Sequence, residues 1–143
     1  MSNWLLVCRP QFWNALKDGN SWPFSDRSKA AWRVRVGDRF AVYVSDLQIA
    51  AVTGTVVRAP RELPEPQHFG RRFVFTGDFG VRFDFGQRQV DMKLLVPLMK
   101  HFKDKHRWGG VLQAAILQLT DEDFSVMAHA LSRVPEERHS VDT

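Results

Sequence analysis

The sequence predicts an α+β domain built around a strongly curved sheet or a small barrel. The predicted elements follow in the order strand, helix, several strands and short helices, which is typical of this class. Phenylalanine occurs 11 times and tyrosine once, and frequent aromatic residues favour a β-rich core. The 143 residues suit one core. We therefore assign a single domain to residues 1–134 and expect a flexible C-terminal tail over residues 135–143.

Two elements are predicted before the first long stretch of polar residues. The apolar run Trp4–Cys8 predicts a short buried strand, which Arg9 and Pro10 end. Because proline is favoured in the first turn of a helix, Pro10 is expected to open a short helix. Gly19 and Asn20 are typical residues for the end of that helix.

The segment Trp22-Pro23-Phe24-Ser25 places two large aromatic rings beside a hydroxyl group. Pro23 keeps this stretch out of a regular helix and favours an extended conformation at Trp22. Aromatic rings in such a segment either fill a core or form the wall of a pocket for a flat ring. The residues by themselves leave both interpretations open.

Alternating apolar and polar residues predict the central strands. The stretch Arg39–Ser45 alternates, with Phe40, Val42 and Val44 on one face and Arg39, Ala41, Tyr43 and Ser45 on the other. Ile49–Arg58 is predicted as the next strand, and Gly54 within it indicates a bulge or a close approach of two backbones. These two strands are expected to form the middle of the sheet.

A loop and a hairpin are predicted after these strands. Residues 59–70 are rich in proline, glutamate and arginine, which favours a loop. Arg72–Thr76 and Phe79–Phe85 flank Gly77-Asp78, a dipeptide typical of hairpin turns. The sequence therefore predicts two short strands joined at this turn.

Capping residues predict where the remaining helices begin. Ser25 or Asp26 is expected to cap a short helix over Lys29–Val34. Asp91 is expected to cap a helix that runs through Met99, although a proline within it shortens or bends the helix.

A final helix is predicted near the C-terminus. Thr120 and Asp123 resemble a capping box, with aspartate in place of the usual glutamate, and the helix is expected to end at about Arg133. The acidic side chains of Asp121, Glu122 and Asp123 suit this helix start, so we assign them no metal or catalytic role.

Charge is distributed unevenly along the chain. Residues 1–110 carry 18 basic and 10 acidic side chains, a net charge of +8, whereas residues 111–143 carry 2 and 6, a net charge of −4. A basic body is compatible with a phosphate-rich partner. The single cysteine, Cys8, excludes an internal disulfide, and no signal peptide or long apolar run is present. We expect a cytoplasmic protein with no membrane partner.

Motifs for catalysis and cofactor binding are absent from the sequence. There is no Walker loop, dinucleotide fingerprint, nucleophile elbow or paired-histidine zinc helix. A zinc deaminase needs two cysteines near each other, and this chain has one. We therefore expect a binding module without metal or cofactor rather than an enzyme.

Several motifs, in their order and spacing, resemble the EVE domain over residues 3–131. These motifs begin with tryptophan-led segments, continue with a Val-Gly-Asp turn and a Tyr-x-Ser strand end, and close with Phe-Lys-x-Lys before Trp-Gly. They occur here as Asn3-Trp4-Leu5, Trp22-Pro23-Phe24, Val36–Ser45, Phe79–Phe83, Phe102–Gly109 and Glu122-Asp123-Phe124. The chain departs from the family pattern at Pro23, where glycine is frequent, and at Phe79-Gly80, where Tyr-Pro is usual.

This resemblance implies both a fold and a function. The EVE domain is PUA-like and similar to the YTH and ASCH domains, which implies a pseudobarrel of five to six mostly antiparallel strands with short helices on its rim. Relatives in this group extrude a modified base into an aromatic-walled pocket. The resemblance therefore implies a nucleic-acid-binding module, for DNA or RNA, that reads a modified base.

We assign two sets of site residues to this predicted activity. The base-binding pocket is expected to be formed by Trp22, Phe24, Ser25, Tyr43, Ser45 and Trp108. The phosphate groups are expected to contact Arg71, Arg72, Lys103, Lys105 and Arg107. Ser25 also suits a helix cap, and Trp32 is left unassigned.

Two other functions are compatible with the same sequence. The pocket of a small-molecule sensor would take a free nucleobase or another flat metabolite, and its affinity would depend little on salt. A PUA-like hydrolase acting on nucleic acid would need a polar triad, which the sequence does not supply. Binding that weakens steeply with salt distinguishes a nucleic-acid-binding module from the sensor.

Overall fold

The computed structural model describes residues 1–69, 73–100, 102 and 115–132. Within these residues, seven strands form one sheet, and three α-helices pack around it. The strands are β1 Asn3–Cys8, β2 Ser21–Phe24, β3 Arg39–Val44, β4 Ile49–Phe69, β5 Phe73–Phe83, β6 Val90–Asp91 and β7 Ile116–Leu119. The helices are α1 Pro10–Leu16, α2 Met92–Leu95 and α3 Asp121–Ser132, with two 3-10 helices at Lys29–Arg33 and Val96–Leu98. The α+β class is confirmed.

The sheet is mostly antiparallel, as expected. Its strand order is β2-β5-β4-β3-β1-β7, and β6 pairs with β4. Among the described strands the β1–β3 pair is parallel, and the other pairs are antiparallel. The sheet has more strands than the five to six expected. The two-residue strand β6 and the proline-containing strand β2 have too little local pattern to be identified from the sequence.

The loop predicted over residues 59–70 is wrong for residues 59–69, which continue strand β4. The register of β4 against β5 shifts three times between Val56 and Gln67. Such bulges leave residues unpaired and so accommodate proline, which has no backbone N–H to donate. A proline-rich stretch therefore remains within a long, irregular strand.

The hairpin turn predicted at Gly77-Asp78 is also wrong, because both residues lie inside β5. A Cβ atom at residue 77 would lie 2.5 Å from Cζ of Phe24, so Gly77 permits a close approach rather than a turn. The buried carboxylate of Asp78 accepts from Arg61 at 2.9 Å and pairs with Arg58 at 3.1 Å. These ion pairs join β4 to β5 where a loop was expected.

Two hydrophobic clusters pack on the two faces of the sheet, because side chains alternate along each strand. Phe40 and Val42 of β3 belong to one cluster and Tyr43 to the other, which confirms the alternation predicted for this strand. The inner cluster includes Trp4, Cys8, Phe12, Trp13, Trp22, Phe24, Phe40, Val42 and Phe79. The outer cluster, packed against α2 and α3, includes Leu5, Ala41, Tyr43, Met92, Met99, Phe124, Met127 and Leu131.

Helix α1 closes the fold over the inner cluster. The ring of Phe12 lies 4.2 Å from that of Phe69 and 4.8 Å from that of Phe73, measured between centroids. The ring of Trp13 meets Phe83 edge-on at 5.3 Å. Phe69 is the last residue of β4 and Phe73 is the first residue of β5. Their contacts with Phe12 therefore place this end of the paired strands β4 and β5 against α1. The resulting curvature is that of a pseudobarrel.

Most of the predicted helix starts are confirmed. Pro10 opens α1, and the side chain of Asp91 accepts from the backbone N–H of Lys93 at 2.9 Å. Before α3, Oγ1 of Thr120 accepts from the backbone N–H of Asp123 at 3.1 Å.

One detail of the predicted caps is wrong, and one acidic side chain at the start of α3 has an additional partner. The residue before the first 3-10 helix is Ser28 rather than Ser25 or Asp26, and Ser28 makes no side-chain cap. The carboxylate of Asp123 accepts from the backbone N–H of Lys100 at 2.8 Å, so it joins α3 to the segment after α2. In the described residues, no helix has the length and apolar character needed to cross a membrane.

Candidate functional site

Strand β2 buries the two aromatic residues that it contributes to the predicted base-binding pocket. Trp22 is 4% exposed and Phe24 is 3% exposed. Trp22 pairs with Phe79 of β5 and Phe24 pairs with Gly77, and the rings of Phe24 and Phe79 stack with centroids 6.2 Å apart. Pro23 is tolerated because β2 lies at the end of the strand order, where its missing N–H breaks no ladder bond.

The other described members of the predicted pocket are Ser25, Tyr43 and Ser45, and at least Tyr43 is separated from Trp22. Tyr43 is buried in the outer cluster, on the opposite face of the sheet from Trp22. Burial raises the pKa of its phenol above the usual range, with Asp46 and Asp91 adding to the shift. Oγ of Ser45 donates to the carbonyl of Cys8 at 3.2 Å. The backbone carbonyl of Ser25 accepts from Ser28. The structure therefore does not bring Tyr43 to Trp22.

Six of the predicted site residues lie outside the described residues. These are Trp108, the predicted second wall, and the predicted phosphate-binding residues Arg71, Arg72, Lys103, Lys105 and Arg107. Their assignment therefore stays a prediction.

An exposed tryptophan lies in a strongly basic segment that contributed no residue to the predicted site. This Trp32 segment comprises residues 27–35 and contains four basic side chains and no acidic one. Trp32 is 44% exposed. Its ring meets the buried ring of Phe24 edge-on, with centroids 5.1 Å apart and planes at 87°. The basic side chains are all exposed and are Arg27, Lys29, Arg33 and Arg35.

The Trp32 segment is attached to the core on both sides. The guanidinium of Arg33 lies 5.7 Å from the centre of the Trp4 ring, a separation suited to a cation–π contact. Nε1 of Trp4, the backbone N–H of Arg35 and that of Ser2 each donate to the carboxylate of Asp38 at 2.9 Å. Because Asp38 is buried, these bonds hold the backbone around Arg35 against β1.

The arrangement presents one aromatic ring and several cations to solvent. In the described part of the chain, none of the four basic side chains forms an ion pair. A flat ring can stack on Trp32, and an anion can approach any of the four cations. The signal available in the sequence was the combination of one tryptophan with four basic residues and no acid within residues 27–35.

Comparison with known proteins shows the fold. No protein-family profile matches the sequence, and no curated protein does. The structure is similar to a protein of Rhodopseudomonas palustris, with a TM-score of 0.63, 16% identity and coverage of 91% of this chain and 92% of that one. A protein of Agrobacterium tumefaciens gives a TM-score of 0.63 and 16% identity over 94% and 97% of the two chains.

YTH domains are also among the similar structures. The YTH domain of Mmi1, solved as a complex with RNA, gives a TM-score of 0.65 with 11% identity, over 97% of this chain and 86% of that one. The chain therefore has a YTH-like fold, as the resemblance seen in the sequence implied. Membership of the EVE family itself stays a prediction.

Proposed function

We propose that this protein binds a nucleic-acid strand through the Trp32 segment and prefers a strand that carries a modified base. The observation that supports this most directly is the exposed ring of Trp32 in a segment whose four basic side chains are exposed and form no ion pair with the described residues. Aromatic platforms combined with basic side chains are the usual means of holding single-stranded nucleic acid.

The energy available from this segment is sufficient for useful affinity. A base stacked on an aromatic side chain contributes on the order of 1–3 kcal/mol. If all four cations contact phosphates of a single strand, the logarithm of the binding constant falls with the logarithm of the salt concentration with a slope of roughly −3. The edge-on contact with buried Phe24 holds the Trp32 ring in place before binding, which limits the ordering cost.

The fold and the family resemblance support the finer parts of the proposal. The Mmi1 YTH domain, which has a similar fold, was solved with RNA. Resemblance to the EVE domain implies that a modified base enters an aromatic-walled pocket, for which we predicted Trp22 and Trp108 as the walls and Ser25 and the main chain near Phe24 as contacts to the base edge. Since Trp22 is 4% exposed, a base that reaches it must displace the side chains that cover it.

Strand binding through the Trp32 segment is tested with labelled single strands of RNA and DNA. Fluorescence anisotropy measures their binding at several salt concentrations. Trp32→Ala is expected to weaken binding by roughly 5- to 150-fold, the equivalent of one stacked base. Leu47→Ala is the matched control, because Leu47 is 58% exposed and lies outside the Trp32 segment. Equal binding by both variants, or no binding by the wild-type protein, contradicts the proposal.

The preference for a modified base is tested with the same strands carrying one methylated base. Burial of one added methyl group contributes about 0.8 kcal/mol, or roughly a fourfold gain in affinity. Tighter binding of one methylated strand than of its unmodified control supports this part. Equal affinities across all methylated strands contradict it, while leaving the Trp32 segment as a binding surface.

A further inference from the structure

A second candidate site lies on the outer side of the sheet, away from the Trp32 segment. A cleft of roughly 650 Å³ opens between α3 and the loop that follows β5. Arg39 reaches this cleft from the start of β3, and its guanidinium lies 5.5 Å from the centre of the Phe124 ring in the outer cluster. His129 of α3 lines the opposite wall. The cleft therefore combines charged, polar and aromatic side chains.

The floor of the cleft is a rigid network of polar groups. Oδ2 of Asp84 accepts from Nη2 of Arg39 at 2.8 Å and from Oγ1 of Thr53 at 2.5 Å. The side-chain amide of Gln87 accepts from the backbone N–H of Thr53 at 2.7 Å and donates to its hydroxyl at 2.8 Å. Nε of Arg39 donates to the carbonyl of Gly54 at 3.0 Å. Each side chain of the floor is thus held in one orientation.

This network leaves one acceptor atom and one donor atom of the Arg39–Asp84 ion pair without a hydrogen bond to the described residues. Oδ1 of Asp84 and Nη1 of Arg39 make no hydrogen bond to the described part of the protein. Both side chains are 34% exposed, so a ligand can reach these atoms. An N–H donor next to an oxygen or nitrogen acceptor, as on the edge of a nucleobase, is complementary to this pair.

The high exposure of Phe85 is not explained if the Arg39–Asp84 ion pair serves only to stabilise the fold. It follows Asp84 directly, lines the cleft and is 94% exposed. A phenylalanine ring that is exposed to water at the edge of a polar cleft gains no free energy from burial, and a flat ring stacked on it would supply that gain.

We infer that this cleft binds a nucleobase, whose edge pairs with Asp84 and Arg39 while Phe85 stacks on its face. The base comes either from a free nucleoside or from a nucleic-acid strand. In the second case the assignment rests on the proposed function, and in the first it does not. The cleft is distinct from the pocket expected around Trp22, because Arg39 packs against the outer cluster and Trp22 lies in the inner one.

The test uses the full chain and the variant Phe85→Ala, with Leu94→Ala as the matched control. Leu94 is 67% exposed on α2 and does not line the cleft. Saturation-transfer NMR and calorimetry measure binding of adenosine, guanosine, cytidine and uridine. Fluorescence anisotropy measures binding of a single strand. Because Phe85 is almost fully exposed, the alanine variant is expected to fold normally, and circular dichroism checks this.

The affinity for nucleosides is expected to fall at least fivefold in Phe85→Ala and to stay unchanged in Leu94→Ala. This result supports a site for free nucleosides, regardless of the affinity for strands. If nucleosides do not bind, a fivefold weaker strand affinity in Phe85→Ala supports a site for a base within a strand. If Phe85→Ala changes neither affinity, the inference is overturned, even where Trp32→Ala still weakens strand binding. If neither nucleosides nor strands bind the wild-type protein, both the inference and the proposed function are overturned.

Discussion

Trp22 and Trp32 illustrate two opposite uses of the same residue type around one ring. Trp22 shares a strand face with Phe24 and is 4% exposed, whereas Trp32 contacts Phe24 edge-on and is 44% exposed. Trp22 lies in a strand paired with β5, while Trp32 lies in a 3-10 helix that passes outside the sheet. The position of the backbone, rather than the residue type, therefore decides which tryptophan stabilises the fold and which is available to a ligand.

The largest expected effect comes from Trp22→Ala. Removing a buried tryptophan leaves a cavity in the inner cluster and is expected to lower the free energy of unfolding by about 3–5 kcal/mol. Trp32→Ala is the matched comparison and is expected to cost less than about 1 kcal/mol, because much of its ring already faces water. Urea denaturation followed by circular dichroism measures both. Equal losses would mean that the two tryptophans do not differ in the way described.

The second effect tests Phe24, the ring that the two tryptophans share. Gly77→Ala places a methyl group 2.5 Å from Cζ of Phe24 and is expected to lower the free energy of unfolding by about 1–3 kcal/mol. Gly19→Ala is the control, since its new Cβ would lie 3.4 Å from the carbonyl of Leu16 in an exposed turn. Urea denaturation compares the two variants. A Gly77→Ala variant as stable as Gly19→Ala contradicts the close approach.

The smallest effect tests whether water is excluded from the inner cluster around Cys8. Burial raises the pKa of the Cys8 thiol to about 12, so the folded chain keeps a proton that the unfolded chain releases above pH 9.0. This contribution to stability is present below that pH and is lost as the pH rises toward 12. The stability of the wild-type protein relative to Cys8→Ala is expected to fall by roughly 1 kcal/mol between about pH 8 and about pH 10.

Urea denaturation at a series of pH values measures this difference. Alkylation by iodoacetamide is a second measurement, because the folded thiol is expected to react far more slowly than an exposed one. A stability difference that does not change with pH, together with rapid alkylation of the folded protein, contradicts a dry inner cluster.

Short-range patterns predicted several elements correctly. Pro10 marked the start of α1, Asp91 marked the start of α2, and Thr120 marked the start of α3. The alternation of Phe40 and Val42 with polar neighbours identified β3 and its two faces. Each of these signals depends on residues a few positions apart, so the sequence contains all the information that they need.

Long-range pairing accounts for the errors. The stretch after Arg58 has the composition of a loop, yet it is a strand because β5 lies beside it and Asp78 pairs with Arg58 and Arg61. The dipeptide Gly77-Asp78 is typical of a turn, yet it lies inside strand β5. Glycine is required at position 77 because the Phe24 ring occupies the place where a Cβ atom would lie. Neither partner is close in sequence.

The order of the amino acids alone determined the α+β class, the faces of β3 and most helix starts, because these follow from local hydrogen bonding and from the period of apolar residues. Three features follow from the folded arrangement instead: Trp22 is covered, Trp32 is exposed, and Arg39 and Asp84 form an ion pair in the cleft that Phe85 lines. Burial and pairing depend on strands that come together from distant parts of the chain, and one sequence does not specify that contact by any short pattern.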